Sequence, residues 1–269
     1  MFNDPKKIIC NFINEKLSND ISRLKTYCFS DLEKTPYGKC SGMSGFDCDN
    51  TLLANAIYVF LWGGEGNIFP NLRMENLGRG KTFRGDTMNS FRTVLGDYGS
   101  TIAMWENVEM GEEVKSFFRM YHTIGNFIVL PNGKLTNGST FNTYRGRHWG
   151  DFFDQFLIEL GKVLSGRNDK DAELSKLADR NREALEGITM SAISDAMFLR
   201  DYSEHPLFAP YLKVGSNAKT KEKNIKDPEF RKFASFYMKK STEIITSRAN
   251  AICRELERRL FIENFENHT

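Results

Sequence analysis

The sequence predicts an α+β fold, predominantly helical, as one domain with a small antiparallel sheet in its first half and a long C-terminal helix. Three observations predict it. After residue 148 apolar residues recur at helical spacing almost to the end. Over 68–77 and 121–141, β-favouring residues alternate with Gly, Asn and Pro. No internal repeat or long linker divides the 269 residues, so 1–148 reads as the mixed half and 149–269 as the helical half of a single domain.

Each element has a local cause. Ile8, Ile9, Phe12, Ile13 and Leu17 share a helical face and open the chain with an amphipathic helix. Residues 37–50 (YGKCSGMSGFDCDN) read as an irregular loop, and Asp49 or Asn50 as the cap of a buried helix over 51–62 that GGEGN stops. Short strands follow at 68–77 and within 121–141, with turns at Pro131-Asn132-Gly133 and Asn137-Gly138. Trp149, Phe152, Phe153, Phe156, Leu157, Leu160 and Leu164 then line one face of a helix. Further helices are predicted over 170–185 and 189–200, and a last one from Pro228, where Asp227-Pro228 supplies a cap and a first-turn proline.

Lys and Arg number 37 against 35 Asp and Glu, so no basic coat grips polyanions indiscriminately. No apolar run nears the roughly 18 residues of a membrane span. The N-terminus lacks the pattern of a secretory signal, and five scattered cysteines form neither CxxC pairs nor a disulfide framework. A cytoplasmic protein without membrane association is the expectation.

The near-neutral balance is uneven along the chain. Residues 114–150 contain no acid but carry Lys115, Arg119, Lys134, Arg145 and Arg147, with His122, His148, Asn126, Asn142 and several aromatics between them. Basic and amide donors interleaved with aromatic faces suit a phosphate- or base-bearing ligand, and they equally suit turns and a core. Arg145-Gly146-Arg147-His148 runs into the predicted helix at Trp149, whose N-terminus favours an anion unless Asp151 already satisfies it. The segment from Gly78 to Gly85 is also basic and Gly-rich, but has Glu75 where a P-loop needs glycine. Arg248 falls at the centre of the apolar face of the last helix. It requires either a partner, for which Glu255 is the candidate, or a ligand in a central pocket.

Three resemblances bear on these residues. Asp47-Cys48-Asp49-Asn50-Thr51 resembles the Asp-x-Asp-x-Thr pattern of haloacid-dehalogenase-like phosphatases, which implies Asp47 as nucleophile, Asp49 as acid/base and a divalent metal such as magnesium. Its setting after SGMSG, and the lack of alternating strands and helices, do not match that family. His122-Thr-Ile-Gly-Asn126, followed by Leu130-Pro-Asn132, resembles part of the His-Asn-His nucleases of modification-dependent restriction systems. The upstream acidic-His-x-x-Pro element is absent, and a two-histidine site would have to come from His122, His148 and His205. The order of Asp47, Asp49 and Thr51-Leu52, Leu61-Trp62, Thr123-Ile-Gly125 to Pro131, Arg145-Gly146 with His148, and Arg248 with Asn250 resembles a widespread bacterial family of unknown function. That likeness implies grouping Asp47/Asp49, Arg145/His148 and Arg248 in one pocket.

The resulting expectation is a nucleotide- or nucleic-acid-phosphate-binding protein, a nucleic-acid-processing hydrolase in bacterial or phage antiviral conflict if it catalyses. Asp47, Asp49 and His148 are the candidate catalytic residues, with Asp47 or Asp49 as base or metal ligand. Arg145, Arg147, Asn126, Asn142, Arg248, His122 and Trp62 are the candidate ligand-binding residues. The alternatives are a non-enzymatic protein-interaction or inhibitor module, and a dehalogenase-like phosphatase using Asp47 and Asp49.

Overall fold

The computed structural model describes residues 4–40, 45–90, 111–148, 152–167, 172–203, 207 and 228–266. The fold is mainly helical, with one two-stranded antiparallel sheet and a long C-terminal helix, as the sequence predicts.

Helix α1 (Pro5–Lys16) begins where the Asp4 carboxylate accepts from the Lys6 and Lys7 N–H groups at 3.0 and 3.3 Å, satisfying two of the donors that a helix start leaves free. It buries Ile8, Ile9, Phe12 and Ile13 against α2 (Leu52–Trp62). Between them the chain winds through short 3₁₀ turns, of which Phe29–Leu32 and Cys48–Asn50 matter for the site. The α2 cap is Thr51, whose Oγ1 accepts from Ala54 N–H at 3.2 Å, rather than Asp49 or Asn50. That correction leaves both of those side chains for other partners.

The segment 68–77 is not a strand. It makes only isolated bridges, Gly63 with Phe69 and Leu77 with Phe83, around a 3₁₀ turn at Met74–Asn76. Strand β1 (Phe83–Thr87) instead comes from the end of the basic Gly-rich segment, and pairs with β2 (Phe127–Pro131) in the register Gly85 to Val129. Every residue of β2 is buried. Between the strands lies helix α3 (Gly111–Tyr121).

Residues 141–148 form helix α4 (Phe141–His148), not the loop expected before residue 149. Thr140 and Thr143 start it by reciprocal bonds: Thr140 N–H donates to Thr143 Oγ1 at 2.8 Å and Thr143 N–H to Thr140 Oγ1 at 3.3 Å. The apolar face predicted from Trp149 is carried by α5 (Phe153–Leu164); Trp149, Asp151 and His205 lie outside the described residues. The helix expected over 170–185 breaks at Asn181 into α6 (Ala172–Arg180) and α7 (Arg182–Leu185). The 189–200 segment gives α8 (Met190–Ala196), capped by Thr189, and then α9 (Arg200–Ser203) after Phe198 takes a left-handed φ of 57°.

The last helix, α10 (Pro228–Glu266), has 39 residues and so runs about 58 Å at 1.5 Å per residue. It packs on α3, on the turn Ile21–Thr26 and on the turn Ile124–Asn126. Gly125 makes the last contact feasible, because a Cβ there would stand 2.1 Å from the Ile245 carbonyl oxygen of α10.

Candidate functional site

The site is built where the turn Cys48–Asn50 lies across β1. Gly85 allows the approach, since a Cβ on it would sit 1.8 Å from the Asp49 carbonyl oxygen. Asn50, fully buried, clamps the two segments: Gly85 N–H donates to its Oδ1 at 3.1 Å, and its Nδ2 donates to the Gly85 carbonyl at 3.1 Å. The same Nδ2 reaches Asp47 Oδ2 at 3.1 Å and Asp49 Oδ1 at 2.7 Å, so one amide bridges both carboxyls.

The two carboxyls are inequivalent. Asp47 is partly exposed and ion-pairs with Arg84 of β1 at 3.2 Å. Asp49 is buried and also holds Tyr58, whose hydroxyl donates to the Asp49 backbone oxygen at 2.9 Å. Burial pushes the Asp49 carboxyl well above the usual carboxylate range, and a hydrogen bond to Asp47, the Asp47 charge and the Asp86 charge push the same way; Arg84 opposes them. Asp49 is thus the member of the pair that its surroundings drive towards the protonated form.

Arg84 and Asp86 stand two apart on β1 and so share its face. Asp86 ion-pairs with Arg145 of α4 at 3.3 Å, and the same Arg145 nitrogen donates to the Thr87 carbonyl at 2.9 Å. The Arg145 guanidinium also lies 5.4 Å from the Phe153 ring centroid. Asp47, Asp49 and Arg145 are thus gathered along one strand. Arg145 sits inside α4 with its side chain buried, where it links α4 to β1 rather than standing at a helix N-terminus facing solvent. The side chains of Arg147 and His148 lie outside the described residues.

The remaining expected residues are placed elsewhere. Asn126 is wholly buried. Its Oδ1 accepts from the Asn89 backbone and side-chain N–H groups at 2.9 and 3.1 Å, and its Nδ2 donates to the Asn89 and Tyr121 carbonyls at 3.2 and 2.9 Å. Asn89 in turn meets Tyr202 and Ser241 of α10, which makes a buried polar network rather than a reading surface. Asn142 is half-buried on α4. Trp62 is buried, donates to the Ala196 carbonyl at 2.9 Å, and stacks on Tyr58 with centroids 5.7 Å apart.

Arg248 does not pair with Glu255. That carboxylate binds Arg258 and Arg259, which hold it down at about 2. Arg248 instead donates Nε–H to the Met197 carbonyl at 2.8 Å and Nη1–H to the Gly125 and Phe127 carbonyls at 2.9 and 2.5 Å, while its guanidinium lies 5.5 Å from the Trp62 ring centroid. Burial lowers it to about 10, and the neighbouring Tyr58 and Tyr202 are the opposing influences. It ties α10 to the 124–127 segment and to the end of α8, and it is connected to Asp49 through Trp62 and Tyr58 of α2. His122 is half-buried with Nδ1 2.9 Å from Ser30 Oγ, its imidazole pushed below the usual range by burial and drawn back up by Asp47.

A divalent metal, which the phosphatase resemblance implies, does not fit these residues. Asp47 Oδ2 is engaged by Arg84 and Asn50, Asp49 Oδ1 by Asn50, and a guanidinium stands where a cation would have to come. Among the described residues no group of three or more His, Cys, Asp and Glu has a metal-holding arrangement. The Asp-x-Asp-x-Thr pattern lies on a 3₁₀ turn, and the described strands form an antiparallel pair rather than that family's parallel sheet.

Sequence reasoning did not select Arg84, Asp86, Asn50 or Asn89. Arg84 had a signal, the basic Gly-rich segment, and Asn50 had its place between Asp49 and Thr51; Asp86 and Asn89 had none. Among the described residues no helix is long and apolar enough to cross a membrane. Compared with protein-family models, with curated proteins and with solved structures, the chain matches none.

Proposed function

We propose that the chain binds the phosphate of a nucleotide or nucleic acid beside Arg84, and that Asp47 and Asp49 act there as an acid–base pair. The observation that carries this reading is the carboxyl pair itself, two carboxyls bridged by one buried amide with a guanidinium on the outer member. Groups whose environments drive their proton affinities apart are the arrangement that acid–base chemistry at neutral pH requires.

Arg84 suits the phosphate. It is about a third exposed, and its Nε has no acceptor among the described residues. Asp47 and Asp86 are each ion-paired to a guanidinium, of Arg84 and of Arg145, which offsets the carboxylate charge an approaching anion meets. Asp47 is the base that takes a proton from water or a hydroxyl, and Asp49 returns one through their shared hydrogen bond. Nucleic-acid processing in antiviral conflict belongs to this reading as its biological setting, and rests on the partial nuclease likeness alone.

The test is a salt titration of binding to short single-stranded DNA, short RNA and mononucleotides. The dissociation constant should rise with salt, and Arg84→Gln should weaken binding about tenfold and flatten the log–log slope by about 0.7 for single strands. Flat or absent binding overturns the phosphate reading. Hydrolysis unchanged in Asp47→Asn overturns the acid–base role.

A further inference from the structure

Beyond the carboxyl pair, a second group of reactive side chains surrounds Ser30. Its hydroxyl lies 2.9 Å from His122 Nδ1 and 3.1 Å from Cys28 Sγ. The buried Cys48 thiol, which burial pushes up to about 12, is near enough to feel both Ser30 and the Cys28 sulfur. The arrangement is held by backbone: Phe29 N–H donates to the His122 carbonyl at 2.8 Å, and the Phe29 ring meets Phe127 of β2 edge-on with centroids 5.1 Å apart. Cys28, Ser30 and His122 are half-buried and Cys48 is buried, and none of the five cysteines is in a disulfide.

With His122 as its Nε2–H tautomer, the Ser30 hydroxyl can donate to Nδ1 and the Cys28 thiol to Ser30 Oγ. Burial keeps His122 neutral and hence able to accept, and the nearby Asp47 charge favours the imidazolium once it forms. Thiol, hydroxyl and imidazole are thus placed to pass a proton from sulfur as sulfur attacks.

We propose that Cys28 is a hydrogen-peroxide-reactive thiol, with Ser30 and His122 relaying its proton and Cys48 closing the disulfide. In the first step Cys28 sulfur attacks the peroxide oxygen, its proton passes to Ser30 and the Ser30 proton to His122. An S–O bond forms and the O–O bond breaks. The leaving hydroxide takes the His122 proton and departs as water, which leaves a sulfenic acid. In the second step Cys48 sulfur attacks Cys28 sulfur, an S–S bond forms, and the sulfenic oxygen leaves as water with the Cys48 proton. Two thiols are oxidised by two electrons and one peroxide becomes two waters. Because Cys48 opens the turn that holds Asp49 and Asn50, the bond would join the 3₁₀ turn Phe29–Leu32 to the carboxyl site.

The experiment treats the reduced full-length chain with hydrogen peroxide and follows each cysteine by peptide mapping, with Cys10 and Cys40, also half-buried, as internal references. A Cys28–Cys48 disulfide should form about a hundredfold faster than either reference oxidises, the lower range of what a positioned general base contributes. Ser30→Ala should remove most of that advantage while circular dichroism shows the fold intact. Cys48→Ser should leave a sulfenic acid on Cys28 that dimedone traps, which also covers the case in which Ser30→Ala misfolds. Cys28 reacting no faster than Cys10 and Cys40, dimedone failing to label Cys28 in Cys48→Ser, or full speed in a folded Ser30→Ala would each overturn the proposal.

Discussion

Truncating Arg248 to methionine should remove a cationic clamp rather than a ligand contact. Its guanidinium bonds the Met197, Gly125 and Phe127 carbonyls, and a hydrogen bond from a charged donor contributes about 1.5–3 kcal/mol. Against this stands the burial that lowers the group to about 10, a cost of about 3 kcal/mol. Methionine keeps the apolar stem but leaves three carbonyls short of a donor, so the expected loss is about 3–5 kcal/mol, as for other broken buried charge contacts. Equilibrium urea unfolding followed by circular dichroism measures it, and Arg248→Lys should recover only part because an ammonium lacks the guanidinium fork. A folded Arg248→Met within about 1 kcal/mol of the parent chain would refute the clamp. Ligand affinity falling by more than tenfold in that same stable variant would return Arg248 to the binding site.

Other perturbations probe the carboxyl site. Asp49→Asn replaces a protonated carboxyl with a neutral group of the same shape, and should change stability at pH 4 by under about 1 kcal/mol. Because folding raises this carboxyl above its ordinary 3.8, the native state holds a proton that the unfolded chain loses. The stabilisation is therefore complete below pH 3.8 and decays as pH rises towards the folded value, so the Asn variant should gain on the parent between pH 4 and 7; melting temperatures that stay parallel contradict a raised Asp49 carboxyl. Gly85→Ala must part β1 from the turn Cys48–Asn50 and should cost about 3 kcal/mol in urea unfolding, whereas a cost under about 1 kcal/mol means the close approach is not needed. Glu255 sits at about 2 through Arg258 and Arg259, so its contribution is present above its ordinary value and lost as pH falls towards 2. Glu255→Gln should cost at most about 1 kcal/mol at pH 7 and nothing at pH 2, and an equal cost at both would show that charge is not the cause.

Much of the helical frame was legible in the sequence because its causes are local. Asp4 before Pro5, the apolar spacing of Ile8 to Ile13, the apolar run before GGEGN and Pro228 in the first turn of α10 each act within a few residues. Asp47 and Asp49 also stood out, since their spacing on a short turn is itself local. Helix α4 was missed because Asn and Gly around it signal a turn, while the reciprocal Thr140–Thr143 cap was overlooked.

The site's character was decided at longer range. Strand β1 exists because Phe83–Thr87 finds β2 across the chain, and no alternation in FRGDT announces it. The same pairing brings Arg84 to Asp47 and Asp86 to Arg145, which turns an apparently free basic residue into half of a buried ion pair. Arg248 was recognisable from sequence as a charge on an apolar face, but its acceptors are backbone carbonyls at residues 125, 127 and 197, and carbonyls leave no mark in an amino-acid sequence. Periodicity thus determined which residues turn inward. Tertiary structure decided which of the buried polar groups meet, because a desolvated charge is stable only beside the partner that the fold brings to it.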